Sequence, residues 1–276
     1  MIGWLIYSAV DVEKNKYYIQ MYKDKFKEHF IEIKLVIVEE LENMEQYVKC
    51  NKVDFAINRS RNHIMGELLE QKGVRVFNSS SVTRIANNKG ITYEFLKDVV
   101  PFLAVKYGNE IIESKIENKG FEYPYVIKSC SGHGGSQVFL VNNRKEEEQA
   151  VKAMNGQEYV VQQCCSDLGR DVRVYIIGNK IIKAVLRTST ESFKSNYSLG
   201  GKVQEYTLNN EEKAMVERIV DKLPLDYAGI DFTFHNGKAV FNEIEDAVGA
   251  RMLYQVSDID IVEMYIKHIF EQLSKE

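Results

Sequence analysis

Three acidic residues stand close together in the last third of the chain. Asp231 lies within Ala228-Gly229-Ile230-Asp231-Phe232-Thr233-Phe234, and Glu243 and Glu245 lie within Phe241-Asn242-Glu243-Ile244-Glu245. Glu243 and Glu245 are two residues apart, so in a strand they point to one face, and a hairpin around Asn236-Gly237 can set Asp231 beside them. Like charges so placed repel unless a cation sits between them. Oxygen ligands of this kind suit Mg2+ or Mn2+, which keep some water and take their remaining ligands from substrate phosphates. The alternative is a solvated strand face, but Ile230, Phe232, Phe234 and Phe241 imply strands that are largely buried. The pattern predicts metal ligation by Asp231, Glu243 and Glu245.

A second constellation is Ser129-Cys130-Ser131-Gly132-His133-Gly134-Gly135-Ser136, between two predicted strands. Its backbone N–H groups, around Ser131, Gly132, Gly134 and Gly135, are free of side-chain obstruction and can fold over phosphates. It is neither a Walker A loop nor a dinucleotide fingerprint, because no Gly-Lys-Ser/Thr ends it and no helix follows it directly. Alone, such a loop is more often an ordinary flexible turn. Lys128, at the end of the apolar run Tyr125-Val126-Ile127, can bring its ammonium to the same phosphates, or be a solvated strand end. In Asp171-Val172-Arg173-Val174-Tyr175, Arg173 alternates with apolar residues, and Arg187 ends another strand. Both suit phosphate or carboxylate oxygens, or else a structural ion pair such as Asp171 with Arg187. Residues 194–201, containing Lys194, Ser195 and Asn196, read as a polar loop ending in a Gly-Gly hinge. The five histidines show no metal-ligand spacing. No Ser/His/Asp or Cys/His arrangement can be argued, and Cys130 reads as a small loop residue.

These groups need elements to hold them. The 276 residues are 45% hydrophobic, enough for a substantial core and two or three small domains. A formal net charge of -4, from 36 basic and 40 acidic residues, gives no reason to expect a nucleic-acid partner. The four cysteines form no CxxC pair and read as reduced thiols of a cytoplasmic protein. No apolar run approaches the ~18 residues of a membrane span, and the apolar residues that open the chain lack a basic leader. Short apolar runs at 4–7, 33–38, 55–57 and 74–77 alternate with helical spacing, predicting βαβαβ and an open parallel sheet over residues 1–80. A helical pair around 84–99, broken at 87–90, opens a second unit over 81–158. It has strands at 103–107, 125–128 and 138–141 and a helix at 144–154. Strands at 159–163, 172–177, 181–187, 228–234 and 239–244 define a third unit, 159–276, with turns at Asn179-Lys180 and Asn236-Gly237. Helices at 211–222 and 259–273 cover its sheet.

In that order the pieces resemble the ATP-grasp superfamily over essentially the whole chain, and within it the RimK-type carboxylate-amine ligases. The resemblance implies an α/β and α+β fold: an open parallel α/β domain followed by two α+β subdomains that sandwich ATP. It also implies roles. Lys89 at a helix start and Lys128 at a strand end contact ATP, the loop 129–136 covers its phosphates, and Val161-Gln162-Gln163-Cys164 forms the adenine hinge. Asp171, Arg173, Arg187 and the Ser-Asn loop of Lys194, Ser195 and Asn196 follow, then Asp231, Glu243 and Glu245 on two Mg2+ ions, with Mn2+ as the substitute. The chain departs from the pattern at three places. Gln163 stands where a Glu is common, Glu245 where Asn is frequent, and residues 246–252 replace a small-residue turn on the acceptor side.

The activity so implied has two steps. A carboxylate attacks the γ-phosphate of ATP to give an acyl phosphate, and an amine then displaces phosphate to form an amide. Lys89 and Lys128 neutralise phosphate oxygens, Arg187 stabilises the transferring phosphoryl group, and Arg251 is the candidate for holding a substrate carboxylate. The expected partners are a small-molecule carboxylate and amine, with neither nucleic acid nor membrane, and a homo-oligomer is compatible. Two rivals remain open: a non-catalytic nucleotide-gated module, and a ligase acting on a peptide or protein, for which a wide cleft beside Arg251 and Tyr254 is the clue.

Overall fold

A computed structural model describes residues 1–108, 121–135, 137–190, 193 and 201–275. The strands β1 (Ile2–Tyr7), β2 (Glu32–Ile37), β3 (Phe55–Asn58) and β4 (Arg75–Phe77) form a parallel sheet in the order β2-β1-β3-β4. Parallel neighbours require crossovers. These are α1 (Ala9–Val12) and α2 (Lys16–Glu28), then α3 (Met44–Cys50), then α4 (His63–Gln71). The apolar stripe Ile19, Tyr22 and Phe26 of α2 is buried, as helical spacing requires. Asn43 and Asn62 cap α3 and α4 by accepting from the N–H groups of Gln46 and Met65.

Two short helices, α5 (Ser80–Ala86) and α6 (Lys89–Leu96), lead into a sheet of order β5-β8-β6-β7. It comprises β5 (Val105–Tyr107), β6 (Tyr125–Ser129), β7 (Val138–Val141) and β8 (Tyr159–Gln163), with α7 (Arg144–Met154) packed on it through Ala150 and Met154. Because β8 pairs with β5 and β6, the change of sheet falls after Gln163 rather than at the expected 158/159 boundary. A run of five residues carries no signal for which neighbour it joins, and tertiary pairing decides it.

The last sheet is antiparallel, in the order β11-β10-β9-β12-β13: β9 (Arg170–Ile177), β10 (Lys180–Thr188), β11 (Lys202–Tyr206), β12 (Tyr227–His235) and β13 (Lys238–Glu245). Gly178-Asn179 and Asn236-Gly237 make its two-residue turns, all four at positive φ, so the first turn lies one residue before the position expected from sequence. The half-exposed edge strand β11 and the short helix α9 (Arg251–Val256) had no clear pattern in the sequence. Along β9, β12 and the part of β10 after its irregularity at 181–183, the residues alternate. Val172, Val174, Ile176, Ala184, Leu186, Ile230, Phe232 and Phe234 join the core under α8 (Asn210–Lys222), leaving Asp171, Arg173, Arg187 and Asp231 on the opposite face.

Helix α10 (Ile261–Leu273) does more than cover this sheet. Its residues Ile261, Val262, Tyr265, Ile266 and Ile269 share one core with Tyr22 and Phe26 of α2 and with Leu5, Phe55 and Phe77 of the parallel sheet. One face of the parallel sheet therefore closes only against the last unit, while the other closes a core within the first eighty residues around Trp4, Ile6, Met65 and Leu69. Polar clamps complete the junction. Asn78 accepts from the N–H groups of Asp226 and Tyr227 and donates to the Tyr227 carbonyl, while Arg75 and His268 both engage the Asp226 carboxylate. Among the described residues no helix is long and apolar enough to cross a membrane. All four cysteines are free thiols.

Candidate active site

One cleft runs between the central and last sheets. Val126, Lys128, Val138, Gln162 and Gln163 line it on one side, and Asp171, Arg187, Thr233, Asn242 and Glu243 on the other. Lys89, Gly132, Gly134 and Gly135 close its end, and Cys165, Leu168 and Arg170 border it as well. Gly134 and Gly135 take positive φ, the conformation for which glycine is suited. Lys194, Ser195, Asn196 and Ser136 lie outside the described residues. Ser131 is exposed and, with Cys164, does not border the cleft.

Lys128 is 4% exposed on β6. Its ammonium donates to the Tyr93 hydroxyl at 2.7 Å and to Asn242 Oδ1 at 3.1 Å, with no carboxylate in ion-pair range among the described residues. Burial pushes it down to about 8, with Glu243 opposing only in part. Tyr93 is the hub beneath it, accepting also from Gln162 Nε2 at 3.1 Å and donating to the Asn242 carbonyl at 2.7 Å. Asn242 reaches this point because a bulge follows Asp231: Asp231 pairs with Glu243 but Phe232 pairs with Phe241, leaving Asn242 as the extra residue. Sequence reasoning missed both. An aromatic at helical spacing reads as core, and nothing in the sequence marks the bulge. Lys89 opens α6 and donates to the Gly132 carbonyl at 2.7 Å, tying that helix to the Gly-rich loop, with Glu243 at 3.5 Å. In the hinge, the N–H of Gln163 is already given to the Ala104 carbonyl.

The acidic trio is not gathered around one point. Asp231 is 0% exposed, and both its oxygens accept from guanidinium groups, from Arg173 Nε and Nη2 and from Arg187 Nη2, each at 2.7 Å. Arg187 also donates to Asp171 at 2.8 Å, so the ion pair weighed as an alternative to phosphate contact is formed. Arg173 donates at 3.0 Å to Glu245, which sits 3.9 Å from Arg61. Among the described residues no three His, Cys, Asp or Glu side chains are placed to hold a metal ion. Interleaved arginines from β9 and β10 supply positive charge among these acids, so repulsion between them does not by itself call for a metal. Burial opposes ionisation of Asp231, but Arg173 and Arg187 outweigh it and hold the carboxyl at about 2. Gly229 makes room for this, since a Cβ there would lie 3.2 Å from Arg173 Cδ and 2.9 Å from Val248. Glu243 differs from its neighbours. Its side chain is 30% exposed toward the cleft, and its one charged partner among the described residues is Lys89.

The segment after β13 is a clamp. Asp246 accepts from Asn78 at 2.6 Å and Asn87 at 3.0 Å, and the carbonyls of Val248 and Gly249 accept from Arg59 and Tyr175. Arg251 is exposed at the start of α9, on an adjoining cleft.

Two antiparallel sheets closing on a cleft with buried lysines, preceded by an open parallel sheet, define the ATP-grasp fold. A D-alanine–D-alanine ligase of Bacillus anthracis complexed with ATP superimposes with a TM-score of 0.78 at 16% identity, over 100% of this chain and 98% of that one. The ATP-grasp ligase PsnB complexed with precursor peptide PsnA2 and AMPPNP gives 0.67 at 15% identity, over 98% and 97%. The sequence pattern of the RimK-like ATP-grasp domain matches residues 94–269. Uncharacterized protein MG011 of Mycoplasma genitalium is 32% identical over 269 residues, covering 96% of this chain and 91% of that one. A probable alpha-L-glutamate ligase of Maridesulfovibrio salexigens is 26% identical over 238 residues, covering 84% and 70%. The chain belongs to the RimK-like ATP-grasp family of ligases.

Proposed function

We propose that the chain joins a carboxylate to an amine through an acyl phosphate, releasing ADP and phosphate. The observation that carries this reading is the convergence of Lys89, Lys128, Arg187 and Glu243, from four separate elements, on one cleft between two sheets. ATP enters with its adenine between Val126, Val138 and Leu168 and its phosphates toward the lysines and the Gly-rich loop. A carboxylate oxygen attacks the γ-phosphorus, and the bond to the β-phosphate oxygen breaks. Arg187 meets the charge on the transferring group, and the loop excludes water that would hydrolyse the product. The amine then attacks the acyl carbon, the C–N bond forms, and phosphate leaves with the C–O electrons.

The donor set fits a divalent cation at Glu243, the most open carboxylate of the trio. Glu245 and Asp231 complete a two-ion set only if Arg173 and Arg187 turn toward the phosphates. Mg2+, or Mn2+ in its place, supplies charge neutralisation of the phosphates when bound.

Two results are expected of this site. ATP affinity falls as the pH rises through about 8, where Lys128 loses its proton in the free protein. In Lys128→Arg, whose guanidinium does not titrate, nucleotide titrations from about pH 7 to about 9.5 show no such limb. Arg251→Ala raises the KM of the carboxylate and leaves that of ATP unchanged; equal effects on both would remove Arg251 from the substrate side.

The test of the function is phosphate release across a panel of amino acids and short peptides, with mass spectrometry of any amide. Release that needs both a carboxylate and an amine is the expected result. ATP binding without release for any pair favours the nucleotide-gated module instead.

A further inference from the structure

A second cleft, of about 600 Å³, adjoins the first at Gly134 and Arg187 and extends to the ends of β1 and β3. The order β2-β1-β3-β4 places the switch point of the parallel sheet between those two carboxyl ends, where open α/β sheets take ligands. Arg59, the first residue after β3, is fixed there by its N–H, which donates to the Ile6 carbonyl at 2.8 Å. The residue is 4% exposed. Its Nε donates to the Tyr7 hydroxyl at 2.9 Å and its Nη2 to the Val248 carbonyl at 2.7 Å. The rings of Tyr7, Tyr18 and Tyr227 surround it at 5.9, 5.1 and 5.7 Å.

What this guanidinium lacks is a counter-ion. Among the described residues no carboxylate lies within 4.0 Å of it, and Asp246, close enough to feel its charge, is bound by Asn78 and Asn87. Its Nη1, with two N–H groups, has no hydrogen-bond partner among the described residues, yet is not sealed away from solvent. Burying an unpaired ion costs several kcal/mol, and aromatic faces offset only part of that. The neighbouring cations are satisfied: Arg61 pairs with Asp11, and Arg173 and Arg187 pair with Asp231. Lys14 and Arg251 stand exposed on the same cleft.

We propose that Arg59 is a specificity-determining residue that binds, through Nη1, a carboxylate of the substrate other than the one activated beside Arg187. Which carboxylate reacts rests on the ligase reading; the receptor itself does not. A guanidinium edge matches a planar carboxylate, and the tyrosine walls suit the apolar arm that carries it. A peptide C-terminus presents the same group, but so small an opening on Arg59 favours the tip of a small molecule.

The test is calorimetric titration of protein loaded with Mg2+ and a non-hydrolysable ATP analogue. The ligands are dicarboxylates of graded length, with and without an α-amine, their monoamides, and a short peptide with a free or amidated C-terminus. The unaltered protein is expected to prefer a dicarboxylate over its monoamide by about tenfold or more, the worth of a charge-assisted hydrogen bond. Arg59→Met removes the preference without changing affinity for the analogue, and Arg59→Lys restores part of it. Equal binding of dicarboxylate and monoamide by the unaltered protein overturns the proposal without any variant having to fold. A preference that survives Arg59→Met overturns it too, and a preference shown only for the free peptide C-terminus overturns its small-molecule form. Phosphate release measured in parallel separates the two readings. Preference without release leaves Arg59 as the receptor and removes the ligase; release without preference does the reverse.

Discussion

Asp231→Asn is expected to lose both stability and activity. The substitution keeps the shape of a fully buried side chain and removes the charge that two guanidinium groups share. Breaking a buried pair from one side typically costs about 3–5 kcal/mol. Arg187 keeps Asp171 and Arg173 keeps Glu245, which puts the expected loss near the lower end, about 3 kcal/mol. Thermal or denaturant unfolding at neutral pH measures it. The pH dependence has a definite sign. The folded carboxyl titrates at about 2 against an ordinary 3.8, so its contribution is present above the ordinary value and is lost as the pH falls toward 2. Wild-type stability therefore declines across that window, and the decline is shallower in Asp231→Asn. In the proposed reaction activity falls as well, because Arg187, which there meets the transferring phosphoryl group, loses one of its two carboxylate anchors.

Glu243→Gln is expected to fold normally and to be inactive. The side chain is part-exposed and carries one charged contact, so its removal costs the fold little. In the proposed reaction it is also the acid that meets the cation accompanying ATP, and a lost transition-state contact of that kind lowers kcat by about 100-fold or more. Glu245→Asn supplies the contrast. An amide oxygen still accepts from Arg173, so that variant retains activity. Steady-state phosphate release on the purified variants, beside matched melting curves, checks the pair. Full activity in Glu243→Gln would remove Glu243 from the site.

Much of this arrangement was legible because strands alternate. Val172, Val174, Ile230 and Phe232 face a core, and the pleat of the strands puts Asp171, Arg173 and Asp231 on the other face. Lys128 and the Gly-rich loop were legible as a strand end and its turn. What could not be read was who neutralises whom. The pairing of Asp231 with Arg173 and Arg187 depends on three strands coming into register, which the spacing of the acids in the sequence does not reveal. Tyr93 and Asn242 escaped for a similar reason: a helix and a bulge bring them to Lys128 from distant parts of the chain. Residues 246–252 read as an unusual turn, and their clamp on Asn78, Asn87 and Arg59 exists only once the parallel sheet is docked. Arg59 itself sits in Asn58-Arg59-Ser60-Arg61-Asn62, a polar stretch that reads as any loop after a strand until the strand order marks it as a switch point.

The acyl phosphate is the central claim, and the fate of a carboxylate oxygen tests it most directly. With a carboxylate and amine pair that supports release, the carboxylate is labelled with heavy oxygen, and the inorganic phosphate formed is analysed by mass spectrometry. Attack of the carboxylate on the γ-phosphorus followed by displacement by the amine transfers one labelled oxygen to phosphate, with ADP as the nucleotide product. Unlabelled phosphate, or AMP in place of ADP, would contradict the account.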